Sequence, residues 1–308
     1  MTKYHLYYHD DLDGVASGAI LYDFFGDFLS CTPMEYSAHL QENYQPPFVL
    51  VDFQYHPAAN WWIDHHASAF KNPEHKAAYR DNAQHCYDPS APSACGLVAR
   101  FLHDQHDYAL PEAAKKLVEV VDIDDSAGFA TLADALELES PSKKIQLLLG
   151  DSEAKKNREQ YLAFREFLIK NLITQGMEAI AGMPEYQERI AHLRAMRLAA
   201  DETLKREATL DGRVVVVTKT DATSHASRWA AYAAYPEAPY SVQVHDKGGE
   251  YKVGIGSNKW SKEKPTADLG ALARTYGGGG HAGVGAISVK TREEAEKIAQ
   301  EIIKILNG

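Results

Sequence analysis

At 308 residues, of which 45% are hydrophobic, the chain has the composition of a globular protein and the length of two domains of ordinary size. Its formal net charge is −11, which argues against a protein that grips long nucleic acid through the phosphate backbone. Three cysteines without CxxC spacing exclude a disulfide framework, and no signal peptide or bilayer-spanning run is evident, so we expect a cytoplasmic protein without a membrane partner.

The first 142 residues alternate short apolar or β-forming runs with helix-length patterns. The predicted elements are strands at residues 3–8, 48–53 and 61–63 and helices at residues 15–25, 93–106 and 111–121. Such alternation predicts an α/β domain with an open, mostly parallel sheet over residues 1–142.

The remainder of the chain divides into two parts. Residues 143–211 have a helical pattern with few strand formers, which predicts a helical connector that ends near 210–212. Alternation then resumes and predicts a smaller α/β domain over residues 212–308. Its predicted elements are strands at 214–218, 240–245, 251–255 and 285–289, helices at 224–234, 267–276 and 293–306, and a loop at 277–280.

Acidic residues and histidines follow each predicted N-terminal strand. They are His9, Asp11 and Asp13 after the first strand, Asp52 after the second, and Asp64, His65 and His66 after the third. Because ligands of open α/β sheets bind beyond the carboxyl ends of the strands, we expect these side chains at one edge. Each residue alone could be a helix cap or a surface residue, but together they indicate a site.

The chemistry of this set suits two metal ions. Carboxylates and neutral imidazoles without a thiolate favour Mn²⁺, with Mg²⁺ or Co²⁺ as alternatives, over a structural zinc. Asp11, Asp13 and Asp52 supply three of the four carboxylates that would neutralise two divalent cations. Asp122 is the preferred fourth, because a cation there would offset the unfavourable dipole at a helix end, and Asp125 is the reserve. Both acids could equally cap the helix and be solvated.

A run of four glycines ends at His281. Glycine permits unusual φ values and close approach, so the N–H groups of Gly278, Gly279 and Gly280 could form an anion-binding nest. His281 beside such a nest could contact a phosphate or a hydroxyl. In the alternative interpretation, Gly277 only caps the preceding helix.

These motifs resemble, in order and spacing, those of the DHH phosphoesterases: His9-Asp-Asp11-Leu-Asp13-Gly, Val51-Asp52, Asp64-His65-His66 and Asp122. Tyr276-Gly-Gly-Gly-Gly280-His281-Ala resembles the GGGH motif of the DHH-associated C-terminal domain. The superfamily includes RecJ exonucleases, nanoRNase/pAp phosphatases, family II pyrophosphatases and exopolyphosphatases. The compact chain fits the nanoRNase-like branch best, and its helical middle carries no resemblance.

The resemblance implies a role for each matching residue. One metal would be held by His9, Asp11 and Asp52, and the second by Asp13, Asp52, His65 and Asp122, so that Asp52 bridges. Asp64 would orient a histidine. Substrate would be contacted by His66, Gly278, Gly279, Gly280 and His281.

One segment departs from the family pattern. Relatives of the nanoRNase-like branch carry an Arg-Ser pair where this chain reads Gly254-Ile-Gly256-Ser257. The missing positive charge could come from Lys259, Lys262, Lys264 or Arg274, or these residues could be ordinary solvated surface. Lysine cannot copy the bidentate fork of arginine, so a different substrate preference is expected.

The resemblance implies a Mn²⁺-dependent phosphodiesterase that cuts short oligonucleotides or linear dinucleotides to mononucleotides. The first alternative is a phosphomonoesterase or phosphoanhydride hydrolase acting on a 3′-phosphorylated nucleotide such as pAp, or on polyphosphate. The second is a nucleotide sensor without catalysis, against which the intact ligand set argues. Long nucleic acid is not an expected partner, and a homodimer is left open.

Overall fold

The computed structural model describes residues 2–35, 43–219, 225–246 and 249–308. The chain divides into two compact units: Met1–Phe129 with Leu138–Ala191, and Ala130–Glu137 with His192–Gly308. Each unit contains one sheet. Within the described ranges, none of the helices combines the length and the apolar character that crossing a bilayer requires.

Strands and helices alternate through the first unit. In chain order they are β1 (His5–His9), α1 (Leu12–Phe25), β2 (Ser30–Met34), β3 (Phe48–Val51), β4 (Trp61–Asp64), α2 (Pro73–Ala78), β5 (His85–Tyr87), α3 (Ala94–His106), α4 (Glu112–Asp125), then, after α5 (Leu132–Leu136) of the second unit, α6 (Pro141–Leu149), α7 (Arg158–Ala181) and the start of α8 (Pro184–Glu207).

The first sheet has five strands in the order β2-β1-β3-β4-β5, and all its neighbouring pairs are parallel. The predicted α/β fold with an N-terminal parallel sheet is therefore confirmed. All residues of β3 and β4 are buried, which explains their continuous apolar runs. The sequence analysis missed β2 and β5, which are partly exposed edge strands; β2 contains Pro33, and β5 has only three residues.

The strand order fixes where a ligand can bind. The chain passes from β1 to β2 on one side and then to β3 on the other side of β1, so the direction of winding reverses between β1 and β3. Such a reversal leaves a crevice at the carboxyl ends of the two strands. One face of the sheet packs on α1, α3, α4 and α7, and the other is covered by an aromatic cluster around Trp62 and Phe48.

The second unit is built on a six-stranded sheet of order β10-β11-β9-β8-β7-β6. Its remaining elements are β6 (Thr209–Asp211), β7 (Val214–Lys219), α9 (Ala230–Ala234), β8 (Tyr240–Asp246), β9 (Tyr251–Ser257), α10 (Leu269–Thr275), β10 (Gly279–His281), β11 (Val284–Val289) and α11 (Arg292–Asn307). Within this sheet, β7 and β8 pair in parallel, and the other described neighbouring pairs are antiparallel. The predicted helix at 224–234 corresponds to the shorter α9, and its predicted start at Ser224 lies outside the described residues. The predicted loop at 277–280 is in part the strand β10.

Candidate metal centre

The carboxyl ends of three neighbouring parallel strands carry the candidate ligands. β1 ends at His9, β3 ends directly before Asp52, and β4 ends at Asp64. The structure brings together His9, Asp11, Asp13, Asp52, Asp64, His65 and His66 from the predicted set. Their meeting point is the crevice where the winding reverses.

Asp52 lies at the centre of this cluster. Its side chain is 1% exposed, with Oδ2 3.5 Å from Nδ1 of His9 and Oδ1 3.7 Å from Nε2 of His65. Its backbone adopts a positive φ of 55°, and its N–H donates to the carbonyl of Ile63 at 2.9 Å. Left-handed backbone is unusual for a residue other than glycine and concentrates at functional sites. This turn directs the two oxygens of Asp52 to different neighbours.

The first ligand group consists of His9, Asp11 and Asp52, whose ligand atoms lie within 4.8 Å of one another. Nδ1 of His9 is 2.7 Å from Oδ2 of Asp11. The other oxygen of Asp11 caps α1 by accepting from the N–H of Gly14 at 2.9 Å. A Cβ at residue 14 would lie 2.1 Å from the carbonyl oxygen of His9, so this tight turn requires glycine.

The second ligand group consists of Asp13, His65 and Asp125, also within 4.8 Å of one another. Nε2 of His65 is 3.5 Å from Asp13 and 3.3 Å from Asp125. The two oxygens of Asp13 accept from the N–H groups of Ala94 and Cys95, each at 2.7 Å. These N–H groups open α3, and a helix N-terminus favours a carboxylate.

The tautomer of His65 leaves one nitrogen available to a metal. Its Nδ1 is 3.0 Å from the carbonyl oxygen of Ala91, and because a carbonyl only accepts, Nδ1 carries the proton. In the neutral ring, the lone pair is then on Nε2, which is buried without a hydrogen-bond partner among the described residues. Metal-binding histidines are oriented in this way.

Asp125, and not Asp122, joins the ligand groups found among the described residues. The Oδ1 of Asp122, the preferred fourth ligand of the sequence analysis, instead accepts from Oγ of Ser93, which caps α3 through the N–H of Gly96. Asp125 is three residues further along α4, a rise of about 4.5 Å towards the strand ends. The charge argument preferred Asp122 and kept Asp125 in reserve, because both acids lie near the end of this helix.

Asp64 organises the turn that carries both histidines. It is fully buried, and its Oδ1 accepts from the N–H of His65 at 2.9 Å, the N–H of His66 at 3.2 Å and Nδ1 of His66 at 2.8 Å. Burial lowers the pKa of His66, but the hydrogen bond and charge of Asp64, with the charges of nearby acids, raise it further, so the net pKa lies above its ordinary value. The contact with Asp64 thus stabilises the charged form of His66.

The buried carboxylates of the cluster repel one another, and this repulsion shifts their pKa values. Burial raises the pKa of Asp52 well above its ordinary value, and the like charges of Asp13 and Asp11 add to the effect. The pKa of Asp13 is raised by burial, Asp125 and Asp11. For Asp11, burial raises the pKa, but the hydrogen bond and charge of His9 lower it more. Divalent cations would remove the mutual repulsion and favour ionised carboxylates.

A buried ion pair that the sequence analysis missed anchors the loop after β1. Nε of Arg165 and the hydroxyl of Tyr161 both donate to Asp10, and Nη2 of Arg165 donates to the carbonyl of Leu149 at 2.8 Å. Arg165 is 2% exposed in its side chain. It lies 155 residues from Asp10, so no local pattern could have linked the two.

The glycine run of the second unit forms a helix end and an edge strand. The N–H groups of Gly277 and Gly278 donate to the carbonyls of Arg274 and Ala273, at 3.1 and 2.9 Å, so neither is available to a nest. A Cβ at residue 278 would lie 2.2 Å from the carbonyl oxygen of Ala286 on β11, to which β10 pairs. These glycines allow close packing of the hairpin.

Two side chains beside this hairpin remain accessible. His281 is exposed at the end of β10, and exposed Arg274 donates through Nη1 to the carbonyl of Gly280 at 3.4 Å. Lys264, by contrast, donates to the carbonyl of Lys259 at 2.9 Å. Of the four predicted replacements for the missing arginine, Arg274 contacts the glycine strand.

The fold recurs in solved structures. No protein-family model matches the chain, and no curated protein matches it in sequence. A pGpG-specific phosphodiesterase from Vibrio cholerae is similar in structure, with a TM-score of 0.71, 21% sequence identity and coverage of 99% of both chains. RecJ from Thermus thermophilus in complex with Mn²⁺ has a TM-score of 0.59 and 14% identity over 98% of this chain and 52% of RecJ. The DHH domain of a member of a ribosomal protein family has a TM-score of 0.52 and 14% identity, covering 99% of this chain and 87% of that domain's chain.

These likenesses confirm the fold that the motifs predicted. The chain has the α/β fold shared by RecJ and DHH-domain proteins, with its candidate ligands where that fold leaves a crevice.

Proposed function

We propose that the chain is a metal-dependent phosphodiesterase that hydrolyses short oligonucleotides or linear dinucleotides to mononucleotides. The observation that carries this proposal is the pair of ligand groups on either side of Asp52, whose two oxygens face different histidines. Shared carboxylates of this kind hold pairs of cations in phosphoesterases and nucleases.

The residues fit two divalent cations. His9, Asp11 and Asp52 would hold one ion, and the second would be held by Asp13, Asp52, His65 and Asp125. All donors are oxygens or imidazole nitrogens, which suits Mn²⁺, with Mg²⁺ and Co²⁺ as the alternatives. When bound, the ions would activate a water molecule and neutralise charge on the phosphoryl oxygens.

The protein's own groups would hold and orient the phosphodiester. Asp64 fixes the ring of His66 through Nδ1, so that its Nε2 can be aimed at a phosphate oxygen. In the second unit, exposed His281 and Arg274 could bind an anionic group of the substrate through charge and hydrogen bonds. Phosphate contacts of this kind do not read the sequence of bases.

The net charge of −11 and the fold likeness support a short substrate. A long polyanion is repelled by such a charge, and one solved structure that matches over 99% of both chains is described as a pGpG-specific phosphodiesterase. The rate should therefore depend on substrate length, with dimers to about pentamers cut fastest. A groove that stacked successive bases would instead keep gaining roughly 1–3 kcal/mol for each added nucleotide.

The test is a substrate screen with the purified, Mn²⁺-loaded protein. Linear dinucleotides, oligonucleotides of two to twenty residues, cyclic dinucleotides, pAp and polyphosphate would be compared by kcat/KM. We expect the linear dinucleotides and short oligomers to give the highest values. Hydrolysis of pAp or polyphosphate without cleavage of dinucleotides would replace the proposal with a phosphomonoesterase or phosphoanhydride hydrolase. Binding without turnover of any substrate would indicate a sensor.

A further inference from the structure

Asp10 lies in the chain between two candidate metal ligands, but its side chain is bonded to a different part of the protein. The side chains of its neighbours meet each other, with Nδ1 of His9 2.7 Å from Oδ2 of Asp11. The backbone N–H of Asp10 donates to the carbonyl of Met34, the last residue of β2, at 2.9 Å. A contact made by the Asp10 side chain therefore influences the position of the ligands on both sides of it.

Both oxygens of Asp10 are held by side chains of α7. Oδ1 accepts from Nε of Arg165, and Oδ2 accepts from the hydroxyl of Tyr161. The side chains of Asp10 and Arg165 are 3% and 2% exposed. Nζ of Lys155 also lies 3.5 Å from Oδ2. The carboxylate is thus fixed at both oxygens in the interior of the first unit.

Arg165 is itself held by several contacts. Its Nη2 donates to the carbonyl of Leu149, the last residue of α6, at 2.8 Å. Its guanidinium carbon lies 3.6 Å from the centre of the Tyr161 ring. Because a guanidinium is planar and presents its donors in a fixed fork, these contacts define the orientation in which it meets Asp10. The network therefore connects the loop after β1 to α6 and α7.

Stability alone is a weak reason for a buried ion pair of this kind. Removing two charges from water costs about as much as their attraction contributes, and apolar side chains of similar volume often stabilise a core equally well or better. A hydrogen-bonded ion pair adds a defined geometry. The side chains of a metal site need such geometry, because they must be held within about 0.5 Å of the productive arrangement.

We infer that Asp10 and Arg165 are positioning residues for the first ligand group, and this inference rests on the metal centre of the proposed function. The ion pair holds the loop after β1 against α7, so that His9 and Asp11 remain together on one cation. Neither Asp10 nor Arg165 belongs to the ligand groups found among the described residues, so both act through the loop.

The second ligand group is held by other contacts. The oxygens of Asp13 accept from the N–H groups of Ala94 and Cys95 at the start of α3. The ring of His65 is oriented by the carbonyl of Ala91. The loss of the ion pair should therefore weaken one of the two cation sites much more than the other.

The test measures Mn²⁺ binding to the full chain by calorimetry, and the binding step that His9→Ala abolishes identifies the first ligand group. Arg165→Met should weaken that step by about 10–100-fold, the range typical of outer-shell partners, and leave the other step close to its wild-type affinity. Tyr161→Phe, which removes one hydroxyl donor to Asp10, should weaken the same step by a smaller factor. At a Mn²⁺ concentration that just saturates the wild type, kcat for a linear dinucleotide should fall while KM is unchanged.

Arg189→Met and Tyr186→Phe are the matched controls. Arg189 is bonded to Asp151 of the same unit at 2.6 and 2.5 Å, so its loss also breaks an arginine–aspartate pair. Tyr186 lies on α8. Both controls should bind the two ions as the wild type does. Thermal unfolding of the chelated proteins would measure the stability of each variant, and Tyr161→Phe tests the inference if Arg165→Met does not fold.

The outcomes separate this inference from the proposed function. Wild-type affinity for both ions in Arg165→Met and Tyr161→Phe would overturn the positioning role. Equal weakening of the two binding steps would also overturn it, because lost stability alone has that result. A wild-type protein that binds no Mn²⁺ would contradict the proposed function itself, and the inference with it.

Discussion

The metal centre of the first unit and the glycine hairpin of the second satisfy their polar groups in opposite ways. Around Asp52, buried carboxylates face one another, and their pKa values are raised by burial and by like charge. In the hairpin, the N–H groups of Gly277 and Gly278 are already bonded to helix carbonyls. We therefore expect a cation to complete the first region, whereas in the second region two of the glycine N–H groups are already bonded within the protein.

The largest expected effect tests the centre of the metal cluster. Asp52→Asn keeps a residue that tolerates the positive φ of 55° but removes the charge that two cations would share. We expect loss of both metals and a fall in kcat/KM of several orders of magnitude, measured by elemental mass spectrometry and a phosphodiester assay. Asp107→Asn is the matched control, because Asp107 also has a positive φ, of 52°, and lies at the end of α3 outside the site.

A smaller effect distinguishes the two candidates for the fourth carboxylate. Asp125→Asn should lose the metal of the second ligand group and lower kcat/KM by more than the roughly 10–100-fold typical of an outer-shell partner. Asp122→Asn should stay within that range, because Asp122 acts through the Ser93 cap of α3. Equal losses of metal in both variants would contradict this division of roles.

Substitution of the exposed side chains beside the glycine hairpin tests the second region. His281→Ala and Arg274→Ala should each raise KM by roughly tenfold and leave metal content intact, since a hydrogen bond to a charged group contributes about 1.5–3 kcal/mol. His192→Ala, an exposed histidine of the same unit, should leave KM unchanged. A loss of metal in His281→Ala would contradict the separation of the two regions.

The smallest effect concerns stability and pH. In the folded state, Asp13 and Asp52 have pKa values raised above their ordinary value of 3.8. At pH values above about 4, the folded metal-free protein therefore binds more protons than the unfolded chain. The free energy of unfolding of the chelated protein should therefore fall as pH rises through this range. Asp11, with a lowered pKa, acts in the opposite direction but only below that range. Mn²⁺ should reverse the trend, which thermal unfolding with and without chelator would measure.

The sequence predicted the features that depend on short local patterns of residues. The apolar runs at β3 and β4 identified buried strands, and the rule for strand ends placed His9, Asp52 and Asp64 at one edge. Features that depend on contacts between residues far apart in the sequence could not be predicted. The choice of Asp125 over Asp122 depends on where α4 ends relative to the sheet, and the Asp10–Arg165 pair joins distant parts of the chain.

The glycine run shows a different limit. Four glycines are compatible with an anion nest, a helix cap or a close-packed hairpin, because glycine has no side chain to favour one of them. The structure has both a helix cap at Gly277 and Gly278 and a hairpin of β10 with β11, and that pairing depends on residues further along the chain, at 284–286.

The central claim, that the buried carboxylates around Asp52 exist to hold two catalytic cations, is tested most directly by metal titration of the chelated protein. Bound Mn²⁺ and hydrolysis of a linear dinucleotide would be measured on the same samples. We expect no turnover after exhaustive chelation and full recovery as the second equivalent of Mn²⁺ binds each chain. Full activity in protein in which mass spectrometry detects no metal would contradict the account.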